Sequence, residues 1–281
     1  MKYEEIKQHI NYGDIPKLAD FIYILNVSNV NANVLSRDGI IFCYTDLLFD
    51  LFSYLKFSSR KYILITHWSD HTIDESIFKL KPNCIKKWYG YSVSYKNPAL
   101  IHMHVGIAPL WIDKNKKINE AYNDWFAENR YTLYNVEKKL NEVYCNYDIN
   151  TSLYRCDVRP ILENNNVLYK WIDTKNSFID YCTEMSQYKF VLSPPGNGID
   201  THRNLEALYL GCIPIVFKHF MYDQYDLPFL QIKKYSDITP ELLQNYLNYY
   251  NNHTFNYESL DFIYWQERIA NEMKQIKNSY I

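Results

Sequence analysis

Apolar residues along this 281-residue chain gather into short unbroken runs separated by polar stretches. Residues 40–44, 62–66 and 99–103 are three such runs. Each has the length and continuity of a strand buried on both faces. Between the first two, residues 46–57 are apolar enough, and long enough, for a helix. Strand, helix, strand in that order predicts a parallel sheet. Residues 115–131 are polar and form the expected crossing to a second set of elements. That set starts with a strand at 142–146 and a helix at 152–163. A strand at 189–193 follows, ending in the turn Pro194-Pro195-Gly196-Asn197-Gly198. A helix at 201–210 is closed by Gly211 in the C′ position. Residues 213–216 form the next strand, with Pro214 near its start. Thr239 followed by Pro240 marks another helix start. Residues 260–279 have a helical pattern.

The pattern predicts an α/β protein of two Rossmann-like halves facing each other across a cleft at the carboxyl ends of their strands. The expected division is an acceptor-side domain at 1–130, a nucleotide-sugar domain at 131–260, and a helix at 261–281 tying the two.

Composition narrows the function classes. Hydrophobic residues make up 47% of the chain and charged residues 22%, a balance that supports a real core. Thirty basic and 32 acidic side chains give a net charge of −2, so no basic field exists to hold nucleic acid. Tyrosine is abundant, at 28 residues. It rises together with Asn, Ile and Lys, as AT-rich coding DNA produces, and so carries little functional weight. The six cysteines show neither a CxxC pair nor zinc-site spacing with histidine, and buried reduced thiols are expected. Whether Cys145 and Cys156 pair is left open by the sequence. The charged start of the sequence lacks a signal-peptide pattern, and no run reaches the ~20 apolar residues of a membrane span. A soluble, cytoplasmic protein is expected.

Residues 190–216, FVLSPPGNGIDTHRNLEALYLGCIPIV, hold the strongest chemical signal. An apolar strand delivers the chain to a Gly-Asn-Gly turn, where backbone N–H groups can approach an anion. A helix follows, with Asp200 and Thr201 as its candidate N-caps. Its N-terminus favours phosphate. Arg203 lies in the first turn and suits bidentate phosphate contact. Glu206 is three residues on, on the same face, and suits ribose hydroxyls. The segment lacks the Gly-Lys-Ser/Thr ending of a Walker loop and the G-x-G-x-x-G of a dinucleotide fold. Taken without further context, it also reads as an ordinary strand–turn–helix corner with a solvated Arg and Glu.

The segment resembles the PxGxGxDxHRxxEALxxGxIPV signature of exostosin-type glycosyltransferases. Pro194, Gly196, Gly198, Asp200, His202, Arg203, Glu206, Ala207, Leu208, Gly211, Ile213, Pro214 and Val216 match it. The form of the turn is most similar to the xylosyltransferase branch, which includes ribitol-phosphate xylosyltransferase and relatives in large DNA viruses. Membership of the viral group would place the protein in host cytoplasm. Residues 144–155 and 225–239 resemble neighbouring blocks of the family, so the likeness spans about 141–243.

The resemblance implies the GT-B arrangement and an inverting transfer from a UDP-sugar, with UDP-xylose as the donor of the branch, to a hydroxyl of a glycan acceptor. It places Gly196, Asn197 and Gly198 around the phosphates, Arg203 on the diphosphate and Glu206 on ribose, with Thr201 and His202 also binding the donor. Thr151 and Arg155 add phosphate contacts. A helix-start histidine such as His202 equally often only bonds locally. The absence of a D-x-D triplet from the sequence leads us to expect a metal-independent reaction and no cofactor beyond the donor. Alternatives are a GDP-sugar, fucosyl-type transferase and a non-catalytic nucleotide-sugar or glycan binder.

An inverting transfer also needs a base. The polar run after the 62–66 strand supplies candidates: Asp70 first, then His67, His71 and Asp74. The competing reading of this run is a polar loop with a capping Asp. In residues 102–113, Gly106 is expected to serve backbone shape, His104 to face the donor and Asp113 to stand as a reserve base. Trp68 and Trp111 are candidates for stacking on acceptor sugar or for the core.

Overall fold

The computed structural model describes residues 2–24, 35, 37–108, 136–173 and 177–279. The expected polar crossing at 115–131, with Trp111 and Asp113, lies outside the described residues. The chain divides into two compact units. The N-terminal unit comprises Ile6–Gly106, Gly198–Asp200 and Glu258–Ile281; the C-terminal unit comprises Met1–Glu5, Ile107–Asn197 and Thr201–Tyr257.

The N-terminal unit holds strands β1 (Phe21–Tyr23), β2 (Gly39–Tyr44), β3 (Tyr62–His67), β4 (Ile85–Gly90) and β5 (Leu100–His102). They form a parallel sheet in the order β1-β2-β3-β4-β5. Every residue of β3 is buried, which is why the run carries no alternation. Helix α1 (Leu48–Leu55) buries Leu48, Leu51, Phe52 and Leu55, the i, i+3, i+4, i+7 stripe of a core-facing helix. Helix α2 (Glu75–Lys79) starts at Asp74, whose carboxylate accepts the Ile77 N–H at 2.9 Å.

The C-terminal unit holds β6 (Leu140–Cys145), β7 (Tyr169–Trp171), β8 (Tyr188–Leu192), β9 (Ile213–Phe217) and β10 (Leu230–Ile232). These are also parallel, in the order β10-β9-β8-β6-β7. Helices α3 (Arg159–Asn164), α4 (Phe178–Met185), α5 (His202–Tyr209) and α6 (Pro240–Asn252) belong to this unit. Its core includes Val143, Cys145, Phe190, Leu192, Ile213 and Ile215, with Leu243 and Leu247 from α6. The last helix, α7 (Phe262–Asn278), belongs to the N-terminal unit.

Two parallel sheets with interspersed helices bear out the α/β reading and make each unit Rossmann-like. No helix among the described residues is long and apolar enough to cross a membrane. All six cysteines are free thiols, five buried and Cys156 exposed.

The helix expected at 152–163 is shorter, at Arg159–Asn164. Pro160 is the reason. Deep in a helix, its ring would clash with the preceding turn and its missing N–H would break the ladder, so the helix begins just before it. Gly211 closes α5 with φ 65°, as expected of a C′ residue. Lys139, buried at the entrance to β6, donates to the carbonyls of Ser186 and Leu210, the C-cap residues of α4 and α5. One ammonium thus neutralises two helix ends, although burial lowers its pKa.

Gly106 sits at φ 86°, and a Cβ there would lie 2.7 Å from the Tyr12 backbone nitrogen. Replacing it with alanine meets both the left-handed backbone penalty and a clash with main chain. Gly106→Ala is therefore expected to destabilise the protein by about 2–4 kcal/mol in urea unfolding; a change below ~1 kcal/mol would refute the backbone role.

Candidate functional site

In the C-terminal sheet, β6 is the first strand in sequence. It pairs with β7 on one side and β8 on the other, and the chain continues outward from β8 to β9 and β10. The winding direction therefore reverses between β6 and β8. In an open parallel sheet, the carboxyl ends of the strands at such a reversal leave a crevice that no loop crosses. A cavity of about 340 Å³ lies there. Its walls are Asn146 to Ile149 after β6, Trp171 to Asp173 at the end of β7, Arg159 of α3, and Arg203 of α5.

Its electrostatics depend on three arginines with different partners. Arg159 is neutralised: its guanidinium makes a forked contact with Asp157, with bonds of 2.9, 3.1 and 2.7 Å, and lies 4.9 Å from the Trp171 ring centre. Arg203 is half-buried, and its Nε is fully buried without a hydrogen-bond partner. Arg155, half-buried, spends its Nε–H on the Pro195 carbonyl at 3.1 Å. Burial first, and then the positive charge of Arg203, lower the pKa of Arg155. Among the described residues, neither Arg155 nor Arg203 has an ion pair with a carboxylate. Two like charges held together partly out of water cost free energy that a bound dianion would return.

The signature turn runs beside these arginines. A Cβ on Gly196 would lie 3.2 Å from the Arg155 guanidinium nitrogen Nη2, so glycine leaves the room that Arg155 occupies. Ser152 Oγ donates to the same Pro195 carbonyl at 2.9 Å. Asn197 is exposed. Thr201 is the N-cap residue by backbone angle, but no side chain caps α5; its hydroxyl is 3.1 Å from Ser193 Oγ. Ser193 donates to Asn204 Oδ1 at 2.6 Å, and Asn204 donates to the Tyr222 hydroxyl at 3.1 Å. This buried chain fixes the first turn of the helix and so the direction of Arg203.

Other expected residues do not line the cavity. Glu206 is only 4% exposed, accepts the Tyr181 hydroxyl at 2.9 Å, and does not line the cavity. Thr151 is exposed in the turn after β6, and His202 is half-buried at the start of α5. Gly198 and Asp200 pack within the N-terminal unit. A Cβ on Gly198 would lie 2.5 Å from the Tyr91 hydroxyl oxygen. Asp200 is not the N-cap: its carboxylate accepts the Val105 N–H at 3.0 Å.

The base candidates cluster at the carboxyl ends of β2 and β3 in the N-terminal unit. Asp70 is exposed and accepts the Tyr91 hydroxyl at 3.2 Å. His71 is exposed, 3.5 Å from Asp46. Burial works against the charged form of Asp46, but hydrogen bonds from Ser69 and Tyr44 and the nearby His71 together lower its pKa. His67 is fully buried, with the Tyr12 and Tyr91 rings each 5.1 Å away. Asp74 is spent on capping α2. Trp68 packs on Tyr12 and Phe42 and donates to the Tyr12 carbonyl at 2.9 Å. Its φ of 69° is rare for a bulky residue and turns the chain sharply just before Ser69, Asp70 and His71. His104 is buried in the N-terminal unit, and burial first, then His102, push its imidazole down to about 3.

No protein-family model matches the chain. The sequence reading had missed the cavity walls at Asn146, Arg159 and Trp171, together with Asp46 and Tyr91 in the N-terminal unit. Asn146, Asp46 and Tyr91 lie just after strand ends, the one signal available for them; Trp171 is the last residue of β7 and Arg159 starts α3.

Proposed function

We propose that the chain is a glycosyltransferase that holds the diphosphate of a sugar nucleotide, most simply a UDP-sugar, at the switch point of its C-terminal sheet. The observation that supports this is the Arg155–Arg203 pair: two cations, partly withdrawn from water and, among the described residues, without a carboxylate ion pair, beside a glycine turn and an uncapped helix start. A diphosphate supplies the missing negative charge and accepts hydrogen bonds from both guanidinium groups.

In this reading the reaction is inverting. An acceptor hydroxyl of a glycan loses its proton to a carboxylate and attacks the anomeric carbon, and the bond to the diphosphate breaks. Arg155, Arg203 and the α5 dipole stabilise the charge that develops on the leaving group, so no metal is needed at the phosphates. Asp70 is the base we assign, because it is exposed at a strand end while His67 is buried. Glu206 would meet ribose only by exchanging its bond to Tyr181. The GT-B plan and a xylosyl donor belong to the same proposal.

The test is a panel of UDP-xylose, UDP-glucose, UDP-galactose, UDP-glucuronate and UDP-GlcNAc, scored for slow release of free UDP, with GDP-fucose beside it. Release from at least one UDP-sugar is expected; release from GDP-fucose alone would overturn the uridine assignment, and none at all the enzymatic one. Asp70→Asn should lower turnover by roughly 10²–10⁴-fold with UDP affinity unchanged, and a normal rate would remove Asp70 from the mechanism.

A further inference from the structure

The N-terminal unit contains a second chemical cluster that the proposed reaction does not use. β5 ends at His102, and His104 follows two residues on in irregular backbone. The two imidazoles meet in a direct ring contact. Their rings lie 5.4 Å apart and perpendicular. Asp200 enters from the signature segment with its carboxylate toward them, Oδ2 being 3.4 Å from His102 Nε2. One ligating atom from each of His102, His104 and Asp200 lies within 4.8 Å of the other two. All three side chains are at most 3% exposed. Ser259 Oγ, also buried, is 3.5 Å from His104 Nε2.

We infer that His102, His104 and Asp200 form a structural site for one divalent transition-metal ion of the zinc class. Two imidazoles and one carboxylate are a donor set for zinc and its first-row neighbours; magnesium and calcium take oxygen ligands. The three atoms lie within 4.8 Å of one another, and binding an ion at about 2 Å from each would draw them inward by up to ~0.7 Å. The electrostatics favour occupancy. Asp200 is a carboxylate removed from water, and a divalent ion in contact with it offsets that burial. Ser259 or a water completes a four-coordinate shell. The ion would fasten residues 198–200 to the end of β5, and no step of the proposed transfer runs through it.

The experiment uses the full chain. Protein purified without added chelator and dialysed against metal-free buffer is analysed for metal content. About one zinc-class ion per chain is expected. Stripping it with a strong chelator should lower the Tm by at least ~5 °C, and adding zinc alone should restore it. Cobalt(II) added to stripped protein should give the intense visible bands of a four-coordinate site. A His102→Gln, His104→Gln double variant should lose both the ion and those bands. If that variant does not fold, the cobalt spectrum of the natural chain decides. Metal-free natural protein with no four-coordinate cobalt spectrum would overturn the inference, as would metal retained in full by a folded double variant.

Discussion

Arg203→Ala is expected to weaken UDP binding by roughly 30- to 1,000-fold in titration calorimetry. That range is a loss of about 2–4 kcal/mol, the scale of a charge-assisted forked contact in a partly dry site. The ligand-free variant should be no less stable than the parent. Arg203 carries a buried, unpartnered Nε and lowers the pKa of its neighbour Arg155, so it costs the empty fold free energy. Loss of affinity with unchanged or raised Tm separates a ligand-binding arginine from a structural one. Arg203→Lys keeps the charge but not the planar fork, and should recover only part of the affinity. Arg159 is the internal control. It is already paired with Asp157, so its replacement should cost far less binding. Equal losses at both positions would mean that cavity shape, not free positive charge, holds the ligand.

The largest effect on stability is expected at Asp261. This carboxylate is 1% exposed and serves three backbone donors. It accepts Ile263 N–H at 3.0 Å as the N-cap of α7, Lys7 N–H at 3.1 Å and Gln8 N–H at 3.2 Å. It thereby joins the start of the last helix to the first segment of the same unit. Asp261→Ala strands three donors together, and about 3–5 kcal/mol of stability should be lost in urea unfolding. Asp261→Asn keeps an acceptor for part of the set and should lose about half as much. A loss below ~1 kcal/mol for alanine would show that water replaces the carboxylate without cost.

The fold was legible where strands are buried on both faces. β2, β3, β8 and β9 are continuous apolar runs because helices or loops cover both sides of a parallel sheet, and so hydrophobicity alone locates them. β4 was not read, since Lys86 and Lys87 interrupt its run; Lys87 is only partly buried and carries its ammonium to the Pro98 carbonyl. β1, β7 and β10 have three residues each, too short to show a period. The signature turn was legible in outline because glycine, proline and arginine report their backbone and charge roles locally. Its tertiary assignments were not. Nothing local says that Asp200 bonds Val105 instead of capping its own helix, or that Glu206 finds Tyr181. The cavity walls were equally hidden, since Trp171 and Arg203 become neighbours only through strand order.

The most direct test is a crystal of the natural chain soaked with UDP. Electron density for the two phosphates should lie within hydrogen-bonding distance of the Arg155 and Arg203 guanidinium groups, at the end of β6. Ordered UDP bound elsewhere on the molecule, with both guanidinium groups left without an anion, would contradict the account.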